Sequence, residues 1–158
     1  MKQTLLLIVI ICLSALATHA QDNRALRAAR MSFNDAETNY NRGNYQEAAR
    51  EFTIVVNTIP TGIDSRRHLQ RRLESLIYLV DIHFYKHVNI DQACEYLNMY
   101  YREMNLIRND GILRSSRLLR YQQKEQEFRE SHTPKCKGYH RIKQDRDKFR
   151  RTFEKEFE

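Results

Sequence analysis

The stretch Gly43-Asn44-Tyr45-Gln46-Glu47-Ala48-Ala49-Arg50-Glu51-Phe52, followed by Val55, Val56, Ile59 and Pro60, decides the fold. Gly43 with Asn44 is a helix-ending and turn signal, because glycine enters the left-handed region that side chains resist. After it, the apolar positions 45, 48, 52, 55, 56 and 59 step by three and four and fall on one helical face. Ala48 is small where a neighbouring helix must come close, and Phe52 fills the space one turn on. Pro60 stops the helix, having no amide hydrogen and crowding the turn before it.

The same spacing runs outward in both directions. Asp22 can cap an earlier helix with Leu26, Ala29, Phe33, Ala36 and Tyr40 on one stripe and Arg24, Arg27, Arg30, Glu37 and Arg42 mostly off it. Past the turn at 61–64, positions 69, 73, 76, 77, 80 and 84 form the strongest apolar stripe of the chain. Tyr78, Leu79 and Ile82 widen it, which predicts a central helix covered on two sides. Asn89-Ile90-Asp91-Gln92-Ala93 then repeats the chemical character of Asn44 to Ala48 and opens a helix carrying Leu97, Tyr100, Tyr101 and Met104. Asn109-Asp110-Gly111 interrupts the pattern. A fifth helix is expected from Ile112 to Ser131, ended by Thr133-Pro134. Beyond it a basic tail becomes amphipathic, with Ile142, Arg146, Phe149, Phe153 and Phe157 on one line. No segment alternates with a strand period. The pattern predicts an all-α stack of five or six helices.

The stretch 43–60 resembles the second half of a tetratricopeptide repeat, with Ala48-x3-Phe52 and Pro60 at the family's small, large and terminal positions. Ala93-x3-Leu97 echoes it, and the resemblance extends over residues 24–106. The first helix departs from the repeat, since Ser32, Asp35 and Asn39 stand at its large positions. Asp81 replaces the small residue of the third helix. Ala48 to Ala93 is also a step of 45 residues, longer than the usual period of about 34. The resemblance implies a short helical-hairpin stack: two degenerate helix pairs over 21–106, a capping helix over 107–134 and a basic amphipathic helix over 135–158. It further implies a concave groove for a peptide or partner helix, lined by Asn34, Glu37, Asn41, Leu79, His83 and Lys86.

Residues 1–20 read as a secretory signal peptide. Lys2 precedes the apolar run 5–13, and Thr18-His19-Ala20, or Ala15-Leu16-Ala17, offers a cleavage site. The run is too short for a membrane span. Cys12 has Ile11 before it where a lipoprotein signal needs a small residue. The expectation is export to the periplasm or cell envelope, or beyond the cell. The remainder has the length of one domain. The formal charge of the whole chain is +7. In an exported protein this points to lipid headgroups, polysaccharide or an acidic protein surface, with no nucleic acid expected.

The sequence contains no phosphate-binding glycine loop, nucleophile elbow or His-Glu-x-x-His zinc helix. No catalytic residue, metal or cofactor is therefore expected. His83 and His87 lie one turn apart with Asp91 and Cys94 following, but Lys86 sets a cation among them. Two histidines at a helix end interact well with its dipole without any metal. The cluster Arg66, Arg67, His68, Arg71, Arg72 opens the central helix. Its arginines 66, 67, 71 and 72 form a candidate anion site, with Arg67 and Arg71 on one face. Nine tyrosines and no tryptophan supply amphipathic surface suited to protein recognition as well as to core packing.

These features favour a non-enzymatic scaffold holding an envelope protein or peptide. The alternative is a binder of an anionic envelope component. Past the cleavage site two cysteines remain, Cys94 and Cys136, and an even pair in an oxidising compartment suggests a disulfide. A buried free thiol at 94 and a surface thiol at 136 that pairs with another chain remain open alternatives.

Overall fold

The computed structural model describes residues 23–156 apart from Asn109, and the backbone alone at 149 and 151–156; the expected signal peptide lies outside the described residues. The fold is all-α, with six helices among the described residues. They are α1 (residues 23–41), α2 (Tyr45–Thr58), α3 (Arg66–Asp81), α4 (Ile90–Ile107), α5 (Ser115–Ser131) and α6 (Thr133–Glu156), with a π-helical turn at Ile82–Lys86 between α3 and α4. The chain divides into two compact units, and the division falls inside α3, between Ser75 and Leu76.

In the first unit, α1 and α2 form a hairpin closed by residues 42–44. Gly43 takes φ +82°, the left-handed conformation that this turn needs. The faces that meet are those with small residues. Ala29, Ala36 and Ala48 are fully buried, and the rings of Phe33 and Phe52 pack edge to face at 5.9 Å. Val55, Val56 and Ile59 continue the buried stripe to the end of α2, just before Pro60. Leu69 and Leu73 of α3 are also buried in this unit.

In the second unit, the π-helical turn and α5 and α6 all pack on α4. The last backbone bonds of the π-helical turn run from the His87 amide to Ile82 O (2.9 Å) and from the Asn89 amide to His83 O (2.8 Å). Val88 follows at φ +48°, an unusual conformation for a β-branched residue. Asn89 then caps α4, its Oδ1 accepting from the Gln92 amide at 3.2 Å while its Nδ2 donates to Gln92 Oε1 at 3.0 Å. Asn44, in the matching sequence position, makes no such cap; its Nδ2 donates to Asn39 Oδ1 at 3.5 Å. The core of this unit holds Leu79, Ile82, Leu97, Tyr100, Met104 and Phe128. Tyr100 donates to the Tyr121 carbonyl at 2.8 Å, which satisfies its buried hydroxyl.

One expectation for the C-terminal region needs correction. Pro134 does not close a helix but opens one: α5 ends at Ser131, and α6 starts at Thr133 after a single turn residue. A first-turn proline loses no hydrogen bond, so the same residue fits a stop or a start. Of the amphipathic line Ile142–Phe157, the side chains of Phe149, Phe153 and Phe157 lie outside the described residues. Cys136, Tyr139 and Lys143, spaced by three and four, meet Asp91 and Cys94 on α4, whereas Ile142 is 68% exposed.

Candidate functional site

The four arginines at the start of α3 have different fates. Arg72 is 4% exposed and turned toward the end of α2. Its Nη1 donates to Ile59 O at 2.6 Å and also to Val56 O, and its Nη2 donates to Thr61 Oγ1 at 2.9 Å. The last carbonyls of a helix lack intrahelical donors and carry partial negative charge, so a buried guanidinium there is both paired and neutralised. Arg72 is a structural cap and does not belong to an anion site. Arg66 is exposed but does not line the cleft that Arg67 and Arg71 share.

That cleft has a volume of about 380 Å³ and lies between α1 and the start of α3. Its walls are Asn23, Leu26, Arg27 and Arg30 from α1, and Ser65, Arg67, His68 and Arg71 from the other side. The local sequence dictates the convergence. Arg27 and Arg30 are three residues apart and off the apolar stripe that buries Ala29 and Phe33. Arg67 and Arg71 are four apart on α3, where Leu69 and Leu73 take the buried positions. Burying the two stripes leaves both arginine pairs facing one space.

The electrostatics of the cleft are one-sided. Among the described residues, no Asp or Glu lines it. Burial lowers the Arg71 pKa, and the neighbouring charges of Arg30 and Arg67 lower it further, against a smaller opposing effect of Glu74. Burial, and then the Arg71 charge, also hold His68 below the usual imidazole range. His68 Nδ1 is buried with no hydrogen-bond partner among the described residues. The first turn of α3 contains no acidic residue, so these cations surround the positive end of a helix dipole. Like charges gathered at a helix N-terminus repel one another, and an anion entering the cleft would offset that repulsion. Sequence reasoning found Arg67 and Arg71 but missed Arg27 and Arg30, whose one-turn spacing was the available signal.

The six residues expected to line a groove are placed unequally. Asn34, Asn41 and Lys86 are exposed. Glu37 is half-buried, and burial together with the Glu74 carboxylate raises its pKa. Leu79 is fully buried and His83 nearly so, which removes both from any surface that a partner could touch. The reason is their place on the central apolar stripe: Leu79 belongs to the core, and the His83 ring stacks on Tyr96 at 5.5 Å. Burial lowers the His83 pKa, and the His87 charge adds to this.

Cys94 and Cys136 are joined in a disulfide with Cα atoms 5.7 Å apart. No group of three His, Cys, Asp or Glu side chains among the described residues could hold a metal ion. Glu125 is buried on α5 between two arginines, Arg108 at 3.1 Å and Arg129 at 2.6 Å, which places it in a closed structural network. No described helix is long and apolar enough to cross a membrane.

Compared with protein-family models, curated proteins and solved structures, the chain has no match.

Proposed function

We propose that this is an exported, non-enzymatic helical binding protein whose ligand is an anionic component of the cell envelope. The observation that carries the reading is the cleft in which Arg27, Arg30, Arg67 and Arg71 converge with no acidic residue among its described walls. Guanidinium forks bind phosphate and carboxylate oxygens in pairs, and a like-charged cluster gains most when an anion enters it. The apolar run and small residues of 1–20 support export, as does the disulfide, a bond that persists in oxidising compartments. The buried Ala48 and Phe52, together with the α1–α2 hairpin, support 24–106 as degenerate tetratricopeptide pairs.

Thermal unfolding in sodium phosphate, set against sodium chloride of equal ionic strength, tests the reading. Phosphate should raise the melting temperature, and Arg67→Gln with Arg71→Gln should abolish the rise. An unchanged rise in that variant would remove the cleft from consideration. Screening should weaken the effect as salt increases.

An adaptor that holds another envelope protein is the second reading. Its support is the solvent-exposed pair Tyr85 (50%) and Val88 (69%), which flank the exposed Lys86 and His87 at the end of the π-helical turn. Tyrosine beside an exposed aliphatic side chain is a common composition for protein contact. Photo-crosslinking from position 88 in native cells tests it. A single recurrent partner supports the adaptor, and its absence leaves the anion reading alone.

A further inference from the structure

The arrangement of the arginines limits what the cleft can hold. Arg27 and Arg30 stand one helical turn apart on α1, and Arg67 and Arg71 one turn apart on α3. Each pair can close two guanidinium forks on a single oxyanion group, which satisfies that group's oxygens. A second pair on the opposite wall exceeds what one phosphate requires. All four arginines line the same cleft, and the Arg30 charge acts on Arg71.

Size points the same way. The cleft of about 380 Å³ falls within the range of small-ligand sites, roughly 300–1,000 Å³. It is room for about a dozen waters at roughly 30 Å³ each, far more than a lone phosphate fills. Beside the arginine pairs the walls offer Leu26 and the imidazole of His68. These are an apolar contact and a flat ring, suited to an uncharged body between two charged ends.

Resting on the anion reading above, we infer that the cleft binds one ligand carrying two separated phosphate groups, one held by Arg27 and Arg30 and the other by Arg67 and Arg71. A soluble sugar bisphosphate and a lipid headgroup with two phosphates share this chemistry.

Calorimetry on the purified protein, with a hexose bisphosphate and the matching monophosphate, is the first arm of the test. Flotation with cardiolipin vesicles, against phosphatidylglycerol vesicles of equal total phosphate, is the second. A two-headed ligand gains from linking its ends, so it should bind at least about ten-fold more tightly than its one-headed counterpart. Arg27→Gln with Arg30→Gln, or Arg67→Gln with Arg71→Gln, should each reduce it to the one-headed affinity. Circular dichroism checks that the variants remain folded. A preference in the first arm assigns the ligand to solutes, and a preference in the second assigns it to membranes. Equal binding of one- and two-headed probes in both arms overturns the inference and leaves simple anion binding. No binding of any probe overturns both.

Discussion

The Arg72 guanidinium donates to the Ile59 carbonyl at 2.6 Å, closing the C-terminal end of α2 with a side chain from α3. Val56 O and Thr61 Oγ1 complete its contacts. Removing the side chain leaves buried carbonyls without donors, and hydrogen bonds to charged groups contribute about 1.5–3 kcal/mol each. Arg72→Met should therefore destabilise the protein by about 3 kcal/mol in urea unfolding. Arg67→Met, five residues away on an exposed position, should shift stability by less than about 0.5 kcal/mol. Equal losses would mean that Arg72 is not the cap.

Ala48 and Ala93 are both fully buried where helices meet. A phenyl ring at either position forces the backbones apart, and overpacking of this kind costs about 1–3 kcal/mol. Ala48→Phe and Ala93→Phe should each lower the melting temperature. Ala28→Phe, on the exposed side of α1, should not. Ala49 keeps 9% exposure at the margin of the buried face, so Ala49→Phe should fall between them. Equal melting temperatures for all four variants would refute the assignment of helix faces.

The parts of this molecule that were legible in the sequence depend on local signals. Gly43 and Pro60 bracket α2 because turn conformation and helix termination act within a few residues of their cause. The apolar stripes found the helices for the same reason, since period alone sets which side is buried. Arg66, Arg67, Arg71 and Arg72 looked alike because a run of cations does not say which one reaches another helix end. Only the position of Ile59 O separates Arg72 from Arg71. Arg27 and Arg30 stayed hidden because their partners lie some forty residues away (Arg67, Arg71) on a separate helix. Pro134 was ambiguous locally, fitting the end of one helix or the first turn of the next.

The disulfide should make a measurable contribution. Cys94 and Cys136 are 42 residues apart, and closing a loop of that length stabilises the fold by about 4 kcal/mol in the chain-entropy account. The other side-chain links from α6 to Asp91, Tyr139 at 3.0 Å and Lys143 at 2.9 Å, are partly exposed and contribute little. Reduction should lower the melting temperature strongly and raise hydrogen exchange in α6 before the rest of the chain. Alkylation without reduction should label neither Cys94 nor Cys136. Two labelled thiols, or a reducible dimer through Cys136, would contradict the bond.

Acid should weaken this protein before its carboxylates titrate. Three histidines, His68, His83 and His132, have pKa values lowered chiefly by burial. For His132 the charges of Lys135 and Lys124 lower it further, against Glu127 and Asp81. Its ring is packed against Phe84 at 4.8 Å and Phe128 at 5.0 Å, and both nitrogens are engaged. Nε2 lies 3.1 Å from Tyr85 Oη, and Nδ1 lies 2.6 Å from Ser131 Oγ. Ser131 gives its proton to Glu127 O at 2.6 Å, so Nδ1–H must donate to the serine and Nε2 accepts from Tyr85. Protonating Nε2 forces Tyr85 Oη to turn from donor to acceptor and charges a ring packed among aromatic side chains. The unfolded chain binds these protons near the ordinary histidine value of 6.5, while the folded chain resists them to lower pH. Stability is therefore fully present above that value and is lost as pH falls toward the folded values. Urea midpoints should be flat from pH 8 to about 7 and decline steadily toward pH 5. His132→Gln should reduce the slope of that decline. A variant with an unaltered slope would assign the acid sensitivity to His68 and His83 alone.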